Sequence, residues 1–172
     1  LGKMPVLRDA VEALERAGED ERVVALVARI GGGGMGLAQA QELRDAVIAF
    51  RAKGKRAVAW SETFGEFGPG NVGYYLATAF DEIHLQPSGD VGLTGLVAES
   101  PFVRGTLDKL GVVPRMDHRH EYKNAMNLFT ETKFTDAHRE ATSDLIHSMF
   151  GQIVRGIAKG RNLSEDRVRA LF

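Results

Sequence analysis

Three stretches carry residue types and spacings that could do chemistry. The first is "VARIGGGGMGLAQAQELRDAV", residues 27–47, where an apolar run ends in four glycines before a helical segment. Gly31, Gly33 and Gly36 satisfy G-x-G-x-x-G, the spacing of a loop whose N–H groups and helix dipole hold a pyrophosphate. Glu62, just past the next strand candidate, adds the acid that such a site uses. Four consecutive glycines satisfy many patterns, however, and no lysine follows them as a Walker A loop requires. The same glycines could form a tight strand-to-helix turn, or expose amides as an oxyanion hole. An oxyanion hole asks for a nucleophile and a base elsewhere in the chain.

The second stretch is Asp117-His118-Arg119-His120. On a strand, His118 and His120 would share one side, as a metal pair needs, yet no third ligand sits at a recognisable spacing. Solvated or hydrogen-bonded histidines are the plainer reading. His138 and His147, nine residues apart on a helix, point to nearly opposite faces. The third stretch is "HRHEYKNAMNLFT", which contains Lys123. Lysine serves as a general base only when burial or a nearby cation lowers its pKa. Composition alone makes Lys123 a surface lysine.

The remaining candidates are weaker. There is no G-x-S-x-G. Ser61 ends a strand and Ser88 lies in "QPSGD", positions that suit a strand-end hydroxyl and a turn former. Asn71 could donate to a substrate or cap the helix that follows it. Phe64, Phe67, Tyr74 and Tyr75 could line a groove for apolar peptide, or pack in a core.

The elements that must position these residues follow from periodicity. Residues 5–17 repeat apolar side chains at helical spacing, with Pro5 at a permitted start and Gly18 as the stop. Residues 22–30, "RVVALVARI", form a continuous apolar run that predicts a strand buried on both faces. Residues 37–54 form a second amphipathic helix, striped by Leu37, Ala40, Leu43, Val47 and Phe50. Residues 55–61 form a strand, 71–80 a short helix and 81–86 a short strand. Residues 100–111 read as a helix and 112–120 as a strand with Pro114 near its start. A long helix begins at Thr135, and another follows Ser164, a suitable N-cap. The alternation predicts an α/β fold, a mostly parallel sheet flanked by helices, in a single domain spanning residues 1–172.

Bulk composition narrows the function. A chain of 172 residues with 44% apolar and 26% charged residues can build a real core. A net charge of −1 gives no field that favours nucleic acid. The absence of cysteine excludes disulfides and thiolate metal sites. No apolar run is long enough to span a membrane. The chain opens on Leu1, so an excised domain, preceded by a leader or anchor, is the expectation.

The order of motifs resembles one family. "GYYLATAFDEIHLQP", "TLDKLGV", "EYKNAMNLFT", "TDAHREA" and the tail "IAKGRNLSEDRVRALF" are similar to the signal peptide peptidase A family, also called protease IV. The resemblance runs from about residue 6 to 172. It implies a Clp protease–crotonase-like fold and a Ser/Lys peptidase. That family carries its nucleophile in A-S-G-G-Y, but here the stretch reads "GNVGY": Asn71 stands where the serine would be, and Val72 replaces a glycine. Lys123, 52 residues after Asn71, matches the family's general base.

A lysine without its serine resembles the amino-terminal copy of the family's long, two-copy form. The resemblance then implies that Lys123 serves a serine in a carboxy-terminal domain outside this chain. It implies apolar signal peptides as substrates, self-association into a homo-oligomer, membrane association of the full-length bacterial protein and a soluble fragment. No cofactor, metal or nucleic acid is expected. The four-glycine run is expected to shape the cleft through Gly32 and Gly33, with Asn71 beside it. The alternatives are a non-catalytic assembly domain of the same fold and a crotonase-type acyl-CoA enzyme.

Overall fold

Period-two burial identifies the strands at the centre of the larger of two structural units. The computed structural model describes residues 6–31, 34–66 and 68–172. One unit comprises residues 1–95 and 152–172, the other residues 96–151.

In the larger unit, β1 (Ala25–Arg29), β2 (Arg56–Ser61) and β3 (Glu82–Leu85) run parallel in the order β1-β2-β3. Ala25 lies opposite Arg56, and Val58 opposite Glu82. α1 (Leu7–Glu19) precedes the sheet, and α2 (Leu37–Ala52) and α3 (Asn71–Ala77) supply the crossovers. This is the mixed α/β layering that the alternation predicts. Along β2, Ala57, Ala59 and Ser61 are buried on one face. α2 adds Ala40, Ala46, Val47 and Phe50 to the core. Each large aliphatic or aromatic side chain buried in this way contributes about 1.5–3 kcal/mol. Gly54, at φ +80°, adopts the left-handed turn that ends α2.

The other face of the sheet differs from expectation. β1 is shorter than residues 22–30, and its Ala25, Val27 and Arg29 are exposed, Val27 at 74%. The register sets beside them Arg56, Val58 and Trp60 of β2 and Glu82 and His84 of β3. Arg29 pairs with Glu62 at 2.7 Å and lies 5.6 Å from the Trp60 ring centroid, while Arg56 pairs with Glu82. An apolar run predicts two buried faces only when layers cover both. The described residues bury one.

The carboxy-terminal segment completes this unit. α4 (Arg104–Lys109), α5 (Asn127–Thr130), α6 (Asp136–Arg161) and α7 (Glu165–Arg169) are the remaining helices. Residues 152–161 of α6 bring Ile153, Val154 and Ile157 into the core, each fully buried. Gly156 and Gly160 lie against α3: a Cβ on Gly156 would sit 2.1 Å from Tyr75 Cε2, and one on Gly160 would sit 2.0 Å from the Thr78 carbonyl oxygen. Only a missing side chain allows that approach. Arg44 of α2, 4% exposed, clamps the same junction. Its Nη1 donates to Tyr75 O (2.5 Å) and Thr78 Oγ1 (2.8 Å), and its Nη2 donates to Gly156 O (2.7 Å). The guanidinium lies 4.7 Å from the Tyr75 ring centroid. Burial pushes its pKa below the usual arginine value, and Tyr75 and Asp45 oppose that shift. Ser164 caps α7 as its spacing predicts, accepting from Arg167 N at 3.2 Å.

The smaller unit holds α4, α5 and residues 136–151 of α6. Val103 N donates to Leu128 O at 2.8 Å, joining the start of α4 to α5. Phe102 and Phe134 pack edge to face at 5.2 Å, and the His138 ring lies 4.6 Å from Phe134. Residues 112–120 form no strand, contrary to the reading of "VVPRMDHRH". Val112 and Val113 are exposed, and the described residues supply no neighbouring strand. A lone extended segment gains neither ladder bonds nor burial.

Candidate functional site

Parallel strands deliver their carboxyl ends to one edge of a sheet, where α/β proteins hold ligands. Here the segments after β1 and β2 and the first turn of α3 enclose a cleft of about 550 Å³. Its floor is apolar: Ile30, Phe64 and Leu76 are buried. Its rim is largely backbone, from Gly31, Gly34, Gly65, Gly68 and Gly70. Met35 stands at the mouth, 40% exposed, and Glu66 is the one charged residue among the described lining. A more open hollow of about 640 Å³ lies between α1 and α2, away from the strand ends. Two of its charges, Glu19 and Lys53, pair with each other at 2.5 Å.

The cleft wall is held by backbone bonds that need glycine. Phe64 N donates to Asp90 O (2.8 Å), Gly92 N to Phe64 O (2.7 Å) and Gly70 N to Gly92 O (2.9 Å). A Cβ on Gly70 would lie 1.9 Å from Phe64 O. Gly65 adopts φ +109°, which side chains disfavour. Gly32, Gly33 and Phe67 lie outside the described residues.

Asn71 is the first residue of α3, and the N-cap is Gly70 rather than Asn71. Its buried amide is spent on the following segment: Nδ2 donates to Gly95 O (2.5 Å), and Oδ1 accepts from Thr94 N (3.1 Å). Asn71 is not among the cleft-lining residues. The neighbouring hydroxyls are also engaged. Ser61, fully buried, donates to Thr63 O at 2.8 Å. Thr63 Oγ1 bridges the backbone N–H and carbonyl of Asp90, each at 3.3 Å. Ser88 Oγ accepts from Gln86 Nε2 at 2.7 Å.

The nucleotide reading of the glycine run gains no support from the side chains of the described lining. No lysine, arginine or histidine lines the cleft among the described residues, so nothing cationic would neutralise a phosphate. Gly36 N donates to Gln39 Oε1 at 3.0 Å, and Glu62 is paired with Arg29. A coenzyme A ligand meets the same objection.

Lys123 belongs to the smaller unit, exposed, on the turn that leads into α5. Its backbone N–H donates to His120 O at 2.9 Å, and Asn127 N donates to Asn124 O at 2.9 Å, so the chain on both sides is fixed. Next to it, Tyr122 donates to Glu140 Oε2 at 2.7 Å, and that carboxylate raises the phenol's pKa. His118 Nδ1 contacts the His120 carbonyl oxygen at 2.8 Å. Among the described residues no group of three His, Cys, Asp or Glu could hold a metal ion. His138 departs from the solvated or hydrogen-bonded reading: it is buried beside Phe102 and Phe134, and its Nδ1 has no partner among the described residues.

Sequence reasoning overlooked Arg44 and Glu66. Arg44 left a signal, since it interrupts the apolar stripe four residues after Ala40 and three before Val47. Glu66 left none, because one acid in a glycine-rich loop is ordinary.

The sequence pattern of peptidase family S49 matches residues 49–171. Protease 4 of Haemophilus influenzae is 27% identical over 161 residues, which cover 93% of this chain and 25% of that protein. Protease 4 of Salmonella typhi is 27% identical over 163 residues, covering 94% and 26%. The chloroplastic serine protease SPPA of Arabidopsis thaliana is 24% identical over 147 residues, covering 86% and 21%. The chain thus spans about a quarter of the length of these relatives.

Proposed function

The chain belongs to peptidase family S49, and from that premise we propose that it is the lysine-bearing copy of a Ser/Lys peptidase. The nucleophilic serine comes from a further domain, and the fold is of the Clp protease–crotonase type. In this reading, neutral Lys123 Nζ takes the proton of that serine as its Oγ attacks the scissile carbonyl. The resulting ammonium gives the proton to the leaving amine, and a water activated by the same nitrogen hydrolyses the acyl ester. The substrates are apolar signal peptides. The whole protein self-associates and sits at a membrane, although no described helix is long and apolar enough to cross one.

One observation carries the reading. Lys123 is exposed on a turn with a fixed backbone, while Ser61, Thr63 and Ser88 are committed to local hydrogen bonds. A solvated ammonium has no lone pair to offer, so a base at this position needs a second surface that dries it. Chain coverage of about a quarter in the Protease 4 relatives leaves room for a domain that supplies both that surface and the serine.

The test compares the full-length protein with its Lys123→Ala and Lys123→Arg variants on an apolar peptide ester. Turnover should fall by about 10²–10⁴-fold in both, with folding and assembly intact. The purified fragment should hydrolyse nothing. A non-catalytic assembly domain is the second reading, favoured by the uncovered sheet face around Val27 and Trp60. Full activity in Lys123→Ala would select it.

A further inference from the structure

We propose that the hydrogen bond from Tyr122 to Glu140 is a pin that fixes the reach of Lys123, making Tyr122 and Glu140 positioning residues for its proton transfer. The catalytic half of this rests on the reading of Lys123 as the base; the pin itself comes from the geometry. Residues 110–126 belong to no helix or strand, so the chain that carries Lys123 is held only where bonds tie it to something rigid. The rigid element is the start of α6. Tyr122 OH donates to Glu140 Oε2 at 2.7 Å, and the buried Asn127 donates through Nδ2 to Thr135 Oγ1 at 3.3 Å. Lys123 falls between these two ties, directly after the first.

The Tyr122 tie is the stronger of the two, being shorter and made to an ionised acceptor. Both its partners are exposed, and in water such a bond contributes modestly. The surface that must dry Lys123 covers its chain neighbour as well, and a bond to a carboxylate strengthens as water leaves. Glu140 also keeps the donor a donor. Its hydrogen bond, and then its charge, raise the phenol's pKa above the ordinary 10.0, with Glu121 and Asp144 adding to the effect. Tyr122 therefore still donates at the alkaline pH where a lysine amine turns neutral. The base has to come within about 2.6–3.2 Å of the hydroxyl whose proton it takes. Lysine brings that nitrogen on a flexible four-carbon stem, so a fixed backbone position sets how far it reaches.

The experiment measures kcat and KM of the full-length protein on an apolar peptide ester, with Lys123→Ala run in parallel. A displacement of about 1 Å at a reacting group costs about 100-fold, so a partly freed turn should lose about 10-fold in kcat with KM unchanged. Tyr122→Phe, which keeps the ring, and Glu140→Ala should each show that loss. Glu140→Gln keeps an oxygen that accepts from the phenol and should recover most of it, a rescue that a role of charge alone would not give. The double variant Tyr122→Phe/Glu140→Ala should lose no more than either single one. Hydrogen exchange across residues 118–126 should speed up in Tyr122→Phe and stay near native in Glu140→Gln. Native kcat in Tyr122→Phe while Lys123→Ala is dead would overturn the pin alone. So would a loss in KM only, additive losses in the double variant, or unchanged exchange. Full activity in Lys123→Ala would sink the base reading and the catalytic role of the pin with it.

Discussion

Arg44 offers the sharpest test of how this fold is held. Replacing it with alanine removes three hydrogen bonds from a buried cation, to Tyr75 O, Thr78 Oγ1 and Gly156 O. Bonds from a charged donor contribute about 1.5–3 kcal/mol each. The side-chain stem adds about 0.8 kcal/mol for each buried methylene. Two effects offset these losses. Removing the guanidinium relieves a desolvation penalty of about several kcal/mol. Tyr75 O also keeps the bond that it accepts from Thr78 Oγ1 at 2.8 Å. The expected net cost of Arg44→Ala is about 3 kcal/mol, a large share of a typical domain's stability. Arg44→Met keeps most of the packing and discards the charge, so it should cost about 1 kcal/mol. Arg44→Lys keeps the charge but loses the planar fork, and should fall between them. The reporter is built in: Trp60, the chain's one tryptophan, lies on β2 of the same unit. Urea unfolding followed by its emission should show midpoints falling in the order Met, Lys, Ala at constant slope. The reasoning fails if methionine costs as much as alanine, or if alanine costs less than about 1 kcal/mol.

Three further predictions concern stability. Gly156→Ala forces a methyl to within 2.1 Å of the buried Tyr75 ring and should cost about 2 kcal/mol. Gly68→Ala meets nothing within 4 Å and should stay within about 0.5 kcal/mol of native in the same urea assay. Asp81 accepts from Arg51 Nε and Ala57 N, both at 2.8 Å, and the Arg51 bond is the main cause of its lowered pKa. A depressed carboxylate stabilises the fold above its unfolded pKa, and that contribution is lost as pH falls through the folded one. The midpoint difference between native protein and Asp81→Asn should therefore shrink as pH drops below the ordinary value of 3.8. A difference that grows on acidification would contradict this.

Much of the larger unit was legible because its signals are local. α1 and α2 follow from apolar spacing at 3.6 residues, and β2 and β3 from short apolar runs between turn residues. Where a signal depended on distant partners, local reading failed. "VVPRMDHRH" has strand composition, yet the described residues pair no strand with it. "RVVALVARI" reads as doubly buried, yet Val27 stands in solvent because no described layer covers that face. Asn71 reads better as a helix cap than as a substrate donor. Thr94 and Gly95, more than twenty residues away, claim its amide instead.

The sequence by itself determined the α/β alternation, the family pattern and the absence of a serine at Asn71, all matters of order and identity along the chain. Only the tertiary structure decided which polar groups are spent and which stay free. It sank Arg44 against α3 and α6, left His138 Nδ1 without a partner among the described residues and gathered glycines from two separate loops around one apolar floor. The physical reason is one of range. Helical and strand periods record contacts a few residues apart, whereas these groups meet partners brought back by the fold from tens of residues away, and burial fixes the cost of leaving any of them unpaired.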